Sequence, residues 1–379
     1  MANFKQFLPK DEYFIEYMAR VFQSSNINIL LGSGASNPAI SVAGDIESKL
    51  QELYDKGDIE GALELEYDFI GKVQEPTNRL IHGFPIFEPV LPLLTSEKTQ
   101  QVVTNRPYQP TENVPLSIKV ENVLIQYETL VSHLLLMLQQ RKTQLLPKKV
   151  NIFTTNYDLF VEKAALKHKG VVLNDGFQNR SSLCNEYQYD TRSFSRVFYE
   201  SSAVYDYKVE LPVLNLIKMH GSLSWKSGKE KKNKDKIVYN VEHKGIYEDI
   251  DLEQKKKLVD EYTLIFPKKE KFKTVLLNHT YYDLMRLYSN ELDKEQTTLV
   301  AFGFSFADEH ILDLTKRALR NSTLKIMIFA YDEAASQSLI QIFDRYNNVD
   351  IIFPEKNETL CFEQFNEAIS CYLSVERSS

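Results

Sequence analysis

Four short runs of apolar residues along the chain each end in a cluster of small or polar residues. The four segments cover residues 29–36, 151–158, 216–222 and 299–305. Short continuous apolar runs are typical of strands that are buried on both faces, as in parallel sheets. Because open α/β sheets bind ligands outside the carboxyl ends of their strands, the four polar ends predict one shared site.

Helical spacing of apolar residues fills much of the chain between these runs. It predicts helices over residues 11–24, 45–75, 116–142, 159–167, 272–292, 308–319 and 363–373. Strands are predicted at residues 26–31, 298–303 and 324–330. This alternation predicts the α/β class, with a Rossmann-like, mostly parallel sheet, helices on both of its faces and a helical insertion.

The insertion is predicted between the first apolar run and the second. Residues 45–147 combine helical patterns with a proline-rich stretch at 83–116, where regular structure should be interrupted. We therefore predict a discontinuous core of residues 1–44 and 148–379, interrupted by a mainly helical insertion of residues 45–147. Within the core, residues 226–257 are predicted to form a lysine-rich loop region.

Composition describes a globular chain with a sizeable core. Of its 379 residues, 43% are hydrophobic and 26% are charged, and the net charge of −7 argues against non-specific nucleic-acid binding by the surface as a whole. The lysines of residues 226–236 form either a solvated loop or a contact with an anionic partner. No secretion signal is visible, and no uncharged apolar run approaches the roughly 18 residues of a membrane span. Three cysteines (Cys184, Cys361 and Cys371) predict no disulfide framework and a cytoplasmic environment.

The first polar end follows a predicted strand and precedes a predicted helix. It consists of Gly32, Ser33, Gly34, Ala35 and Ser36. Its backbone N–H groups can approach a diphosphate, with the two serine hydroxyls as extra donors. The third glycine of the usual dinucleotide fingerprint is missing, because Asn37 and Pro38 follow. A tight strand-to-helix turn is the alternative explanation.

The second and third polar ends carry the candidate catalytic residues. The carboxamide of Asn156 can hold a water molecule or a ribose hydroxyl without adding charge, although a turn residue is the alternative. Thr155 is predicted to contact ribose or phosphate, and Asp158 either caps the next helix or contacts the ligand. His220, before Gly221 and Ser222, can accept a proton near neutral pH, although a structural histidine is the alternative. We interpret Trp225, the only tryptophan, as a packing residue over the pocket rim.

The fourth polar end consists of Gly303, Phe304 and Ser305. The spacing of Ser305 and Asp308 has the character of a capping box and predicts a helix start. After the last β-α-β unit, Asp332 could accept hydrogen bonds from an adenosine ribose, and Tyr331 could stack on the adenine. An ordinary turn at these two residues is the alternative.

Several other site types lack their sequence signals. Neither a Cys-x-x-Cys pair nor histidines at ligand spacing are present, so no metal site is predicted. The Gly-x-Ser-x-Gly elbow of serine hydrolases and the Gly-x-x-x-x-Gly-Lys phosphate loop of ATPases are also missing. These missing signals considerably narrow the range of possible site types.

Taken together, the four polar ends resemble the sirtuin-like NAD-hydrolase family. The matching segments are residues 32–36, 154–158, 218–222 and 303–308, in the family's order, and the sheet-forming half of the chain is covered. The resemblance implies a Rossmann-like domain that holds NAD+ across the strand ends, with Asn156 and His220 as the catalytic pair. The other residues predicted to contact NAD+ are Gly32, Ser33, Gly34, Ala35, Ser36, Thr155, Asp158, Gly221, Ser222, Gly303, Phe304, Ser305, Tyr331 and Asp332.

The sequence departs from sirtuin deacylases in two respects. It lacks their zinc ribbon, and residues 40–44 replace the usual Gly-x-Pro segment after the first glycine motif. It thus resembles the family's zinc-free branch, whose members are NAD-consuming effectors of bacterial antiphage defence. Members of this size without an appended sensor domain resemble those that assemble with a HerA-type hexameric ATPase. We therefore expect control by homo-oligomerisation or by such a partner.

The expected reaction is hydrolysis of NAD+ to nicotinamide and ADP-ribose, an NADase activity. Asn156 would position a water molecule or the ribose hydroxyls, and His220 would act as the base. Three other functions remain open at this point. They are a non-enzymatic sensor of NAD or ADP-ribose, a protein deacylase, and a structural subunit whose lysine loop contacts DNA.

Overall fold

A computed structural model describes most of the chain. The described residues are 2–41, 46–82, 114–141, 146–177, 179–180, 187–201, 208–227, 237–241, 250–265 and 279–375. Three predicted features lie partly outside them: residues 83–113 of the proline-rich stretch, residues 228–236 of the lysine-rich loop, and the start of the helix predicted at 272–292.

Most helices of the described residues lie near predicted ones, but those at residues 252–261 and 333–343 have no predicted counterpart, and the helix at residues 59–82 extends beyond the predicted end at residue 75. The helices are α1 Glu12–Gln23, α2 Ile46–Asp55, α3 Ile59–His82, α4 Leu116–Gln140, α5 Phe160–Ala165, α6 Leu252–Glu261, α7 His279–Leu292, α8 Glu309–Ala318, α9 Glu333–Phe343 and α10 Phe362–Val375. The helix predicted over residues 45–75 is in fact two, because Gly57 adopts a φ of 75° and ends α2. Within the described residues, none of these helices combines the length and the apolar character that crossing a membrane requires.

The strands form one large sheet and two small ones. They are β1 Asn3–Gln6, β2 Asn26–Leu31, β3 Lys149–Thr154, β4 Val172–Asn174, β5 Asn179–Arg180, β6 Tyr187–Gln188, β7 Tyr199–Ser201, β8 Lys208–Glu210, β9 Val213–Lys218, β10 Gly221–Ser227, β11 Ile237–Tyr239, β12 Tyr262–Leu264, β13 Thr297–Phe302, β14 Leu324–Phe329 and β15 Val349–Phe353. The lysine-rich region at residues 226–257 thus includes β11 and the start of α6.

The large sheet has eight strands in the order β1-β15-β14-β13-β2-β3-β9-β4, and all of its pairings are parallel. This confirms the predicted α/β class. After β2 the chain continues to β3, which pairs with β2 on one side. Later in the chain, β13 pairs with β2 on its other side. The order of the strands therefore reverses between β2 and β13, which is where open α/β sheets bind their ligands.

Helices cover both faces of this sheet, as predicted. Alternate residues of each strand point to opposite faces. On the first face Ile29 and Ile152 belong to a buried cluster that includes Met18 of α1 and Leu134 of α4. On the second face Leu30, Phe153 and Ile217 pack in another cluster with residues of α7, α8 and α9.

The helices α2, α3 and α4 all lie between β2 and β3 in the chain. Of these, α4 is integrated in the first cluster, where Tyr127, Leu134 and Leu138 are buried and the helix contacts α5 and α10. The α3 helix contacts α6, with Lys255 3.3 Å from Glu64. The division of the chain into a core and an insertion stays a prediction.

A smaller antiparallel sheet has the order β12-β10-β11-β6-β5, and its strand β10 directly follows β9 in the chain. Its strand β10 carries Trp225, which is 2% exposed. The indole packs against Tyr189, with the ring centroids 4.4 Å apart, and against Phe177 at 6.0 Å. The interpretation of Trp225 as a packing residue is confirmed.

A ladder of four asparagines crosses the middle of the large sheet. Asn174, Asn215, Asn151 and Asn28 lie in register on β4, β9, β3 and β2. Each side-chain amide donates to the next side-chain oxygen in that order, at 2.9, 2.8 and 2.8 Å. All four residues are buried, and the Asn151 amide also donates to Glu291 of α7 at 3.1 Å. Buried amides are costly unless paired, so the ladder favours this register over alternatives.

Replacing Asn151 by alanine removes the centre of the ladder and leaves the Asn28 oxygen and Glu291 short of a donor. We expect the free energy of unfolding to fall by about 2 to 4 kcal/mol, measured by urea denaturation. The exposed Asn347→Ala serves as the control and should change it by less than about 0.5 kcal/mol. Equal stability of the two variants would contradict a structural role of the ladder.

Candidate functional site

The carboxyl ends of β13, β2, β3 and β9 lie side by side, as predicted for the four polar ends. Aligned across the row are Phe302, Leu31, Thr154 and Lys218. Asn156 and His220 each lie two residues beyond this row, after the adjacent strands β3 and β9. The backbone N–H of Met219 donates to the carbonyl of Thr154 at 2.8 Å and continues the pairing into the loops. The two candidate catalytic residues therefore share one edge of the sheet.

The first and the fourth polar ends contact each other where the strand order reverses. Gly303 adopts a φ of 62°, and its carbonyl accepts a hydrogen bond from the N–H of Gly34 at 3.0 Å. A Cβ atom on Gly32 would lie 2.2 Å from the oxygen of Gly303, so no side chain fits there. The N–H groups of Gly32 and Ala35 also donate to backbone carbonyls. Close contact between the loops is thus one reason for these glycines.

Asn156 is held by a buried network around the hydroxyl of Ser36. This hydroxyl donates to the carboxylate of Asp158 at 2.7 Å and accepts from Asn156 Nδ2 at 3.1 Å. Asn156 Nδ2 also donates to the carbonyl of Gly32 at 3.0 Å. Both amide hydrogens therefore point into the protein, and no hydrogen bond to the side-chain oxygen is found within the described residues.

The same network includes Tyr127, which the sequence did not identify. Its hydroxyl lies 3.0 Å from Ser36 Oγ, whose own hydrogen is directed at Asp158, so the tyrosine is the donor. Burial, followed by the nearby Asp158 carboxylate, raises the pKa of Tyr127 well above its usual range. Tyr127 therefore remains protonated and fixes Ser36.

Asp158 meets the predicted capping role only in part, and its contact with a ligand stays a prediction. Leu159, and not Asp158, occupies the N-cap position of α5. The Asp158 carboxylate still accepts the N–H of Phe160, the first residue of α5, at 3.2 Å. Its other oxygen accepts the hydrogen bond from the Ser36 hydroxyl. Asp158 therefore connects the helix start to the network that holds Asn156.

His220 is paired with Asp308, which precedes α8. His220 Nε2 lies 3.1 Å from Asp308 Oδ2, and the two side chains are only 8% and 10% exposed. The predicted capping box at Ser305 is wrong, because Phe306 has a φ of 59° and the helix begins only at Glu309. Asp308 itself is the N-cap residue, and its Oδ1 accepts the N–H groups of the first helical turn at 3.0 and 3.3 Å. Residue spacing alone did not reveal the contact with His220.

The loops of Asn156 and His220 are joined through the backbone of Ile265. Its N–H donates to the carbonyl of His220 at 2.9 Å, and its carbonyl accepts the hydroxyl of Tyr157 at 2.5 Å. Gly221 allows the turn after His220 with a φ of 88°. Ile265 directly follows β12, so the smaller sheet contributes to the geometry of the site.

A buried ion pair lies beside this network. Lys218 Nζ is 3.1 Å from Glu162 Oε1 and also bonds the carbonyl of Asp158. Burial raises the pKa of Glu162 to about 7, although the ammonium of Lys218 acts in the opposite direction. Lysine at this position had no predicted role, and its contact with α5 becomes visible only in the tertiary structure.

The remaining predicted contact residues lie at the same edge in different settings. The Ser222 hydroxyl is buried and donates to the carbonyl of Tyr157 at 3.4 Å. Asp332 is the N-cap residue of α9 and accepts the N–H of Ala335 at 2.7 Å, while the ring of Tyr331 is half exposed. Both residues follow β14, the next strand outward from β13. Within the described ranges, no group of three or more His, Cys, Asp and Glu side chains is placed to hold a metal ion.

Comparison with protein families gives one match. The family described as the SIR2-like domain matches residues 150–352, which is more than half of the chain. The matched region starts in β3, ends in β15 and contains Asn156, His220 and Asp308. No curated protein shows significant similarity to the sequence.

The raised pKa of Glu162 predicts a pH-dependent stability. The folded protein binds this proton more tightly than the unfolded chain, whose glutamate has a pKa of 4.5, so stability falls as the pH rises from about 4.5 to about 7. We expect the free energy of unfolding of the wild type to fall by about 2 to 3 kcal/mol over this range, and Glu162→Gln to lack this fall. Urea denaturation at several pH values measures both.

The control for this experiment is Glu64→Gln, which removes an exposed carboxylate paired with Lys255. It should keep the pH dependence of the wild type. Identical pH dependence in the wild type and in Glu162→Gln would refute the assignment.

Proposed function

The chain belongs to the SIR2-like domain family, and we propose that it hydrolyses NAD+ to nicotinamide and ADP-ribose. Domains of this family are in general NAD-dependent enzymes. The observation that carries the proposal is the placement of Asn156 and His220 at matching positions after the adjacent strands β3 and β9, next to the reversal of strand order. Asn156 offers a fixed hydrogen-bond acceptor, and His220 offers a base.

The chemistry of NAD+ suits this pair of residues. Its nicotinamide is a cationic leaving group on the ribose C1′, so the C1′–N bond can break without proton donation. The bond's electron pair returns to the nicotinamide ring, and the oxygen of a water molecule bonds to C1′. His220 takes the proton that the water loses, and the side-chain oxygen of Asn156 accepts a hydrogen bond from this water or from a ribose hydroxyl.

The reversal of strand order in the sheet supports a position for NAD+ across the strand ends. In the proposed arrangement the diphosphate lies over the ends of β2 and β13, near Ser33 and Ser305. The nicotinamide ribose then lies over β3 and β9, where Thr155, Asn156 and His220 are found. The adenosine extends toward β14, where Tyr331 and Asp332 follow the strand.

We also propose that the hydrolase is an NAD-depleting effector of antiphage defence. The support is the resemblance of the four motifs to the zinc-free branch of the sirtuin-like NAD hydrolases. A hydrolase without restraint would exhaust the NAD+ of its own cell, so control by homo-oligomerisation or by a HerA-type ATPase belongs to the proposal.

His220→Ala and Asn156→Ala should each reduce nicotinamide release from NAD+ by a factor of about 10² to 10⁴, since each removes a group that acts on the attacking water. Release is measured by chromatography with mass detection, with and without a candidate hexameric ATPase. His279→Ala, at an exposed histidine of α7, is the control and should keep wild-type turnover. Thermal unfolding verifies that each variant is folded.

The outcomes separate the proposed function from its alternatives. Normal turnover in both site variants would refute the assignment of the residues. NAD+ binding by the wild type without nicotinamide release would indicate a sensor, and turnover that requires an acyl-lysine peptide would indicate a deacylase. The mass of the product distinguishes ADP-ribose from a cyclised form.

A further inference from the structure

We propose that Asp308 is a positioning residue that fixes the tautomer and the orientation of His220 and stabilises its protonated form. The inference rests on the proposed function, because it specifies how His220 acts as the base there. It assigns to Asp308 a role beyond that of a helix cap.

The two oxygens of the Asp308 carboxylate have separate partners. Oδ1 accepts the N–H groups of His310 and Ile311, which locks the carboxylate onto the first turn of α8. Oδ2 lies 3.1 Å from His220 Nε2. A carboxylate needs only one oxygen to cap a helix. The hydrogen bonds that Oδ1 accepts therefore fix the carboxylate with Oδ2 oriented toward the imidazole.

The backbone before Asp308 forms an unusual turn that leads into the contact with His220. Before Asp308, Phe306 adopts a φ of 59°, a conformation that is rare for a bulky residue. Its ring is 2% exposed and packs edge-on against Phe304 and Phe343, at centroid distances of 5.0 and 5.1 Å. This packing holds the unusual turn that leads into Asp308.

The pair has a direct chemical consequence. When Nε2 carries the hydrogen and donates it to Asp308, the lone pair of Nδ1 is the one that accepts a proton from water. The ring then becomes positively charged, and the adjacent carboxylate stabilises that charge while remaining ionised. The N-terminus of α8 stabilises the carboxylate in turn. Because both side chains are shielded from water, the interaction is stronger than it would be at the surface.

The other charged groups on the neighbouring strand ends already have partners. Asp158 accepts from Ser36 and from the N–H of Phe160. Lys218 is paired with Glu162. Among these carboxylates, Asp308 is the one within hydrogen-bond distance of the His220 ring.

Asp308→Asn tests the proposal because asparagine caps helices about as well as aspartate. The variant keeps the cap but replaces the charged acceptor with an amide that can donate to Nε2 and favour the wrong tautomer. We expect kcat for nicotinamide release to fall by a factor of about 10² to 10⁴, with little change in KM. The melting temperature should stay within about 2 °C of the wild type.

The pH profile provides a readout that a cap alone would not change. Loss of the carboxylate makes the imidazolium less stable, so the pKa of His220 should fall. The acidic limb of kcat/KM for Asp308→Asn should therefore move to lower pH. Asp308→Ser, which also retains a capping side chain, should show the same shift and the same loss of kcat.

Asp11→Asn is the matched control. Asp11 caps α1 in the same manner, accepting the N–H of Phe14 at 3.0 Å. It is exposed, so the same substitution there should leave both kcat and the acidic limb unchanged. Wild-type kcat and an unmoved acidic limb in Asp308→Asn would overturn the proposal.

Nitrogen NMR of protein labelled with ¹⁵N-histidine tests the pair without any turnover. The resonances of His220 are identified by their loss in His220→Gln. In the wild type they should show a protonated Nε2 and an unprotonated Nδ1, and Asp308→Asn should change this tautomer. An unchanged tautomer would overturn the role of Asp308. A wild-type protein that never releases nicotinamide would refute the hydrolase, and the tautomer would still decide whether Asp308 positions His220.

Discussion

The in-register pairing of β13, β2, β3 and β9 is the constraint on which the rest of the structure depends. It places four polar strand ends at one edge of the sheet. In β2, β3 and β9 the register is fixed by the ladder formed by Asn28, Asn151 and Asn215, and Asn174 extends it to β4. A shift of one residue would move a strand's amide to the opposite face, away from its partners. The relative position of the candidate catalytic residues thus depends on hydrogen bonds made in the middle of the sheet.

Helices from the two faces of the sheet support different parts of the candidate site. On the first face, α4 brings Tyr127 to the Ser36 hydroxyl, which holds Asn156. On the second face, α8 packs through Ile311 and brings Asp308 to His220. The smaller sheet contributes the third support, because the backbone of Ile265 connects the two loops. Asn156 and His220, which follow adjacent strands, are therefore held by separate layers of the fold.

Buried charge at this edge contributes more to geometry than to stability. Removing Lys218 and Glu162 from water has a large energetic cost, and their mutual attraction offsets it only in part, as the raised pKa of Glu162 indicates. The same lysine bonds the carbonyl of Asp158. It therefore ties β9 to the loop after β3, which is the loop that carries Asn156. The buried charge of Lys218 thus costs stability, but it fixes the distance between the polar ends of β3 and β9.

The sequence by itself determined the fold class, most helices, the strands β2, β3, β9, β13 and β14, and the four polar strand ends, because these depend on local periodicity and on the residues that end each apolar run. It also singled out Asn156 and His220 by their positions after buried strands. Only the tertiary structure decided which side chains support them. Tyr127, Glu162 and Asp308 lie far from their partners in the chain, and each also fits an ordinary helical or capping role. Their contacts arise from the packing of helices onto the sheet, which no local pattern encodes.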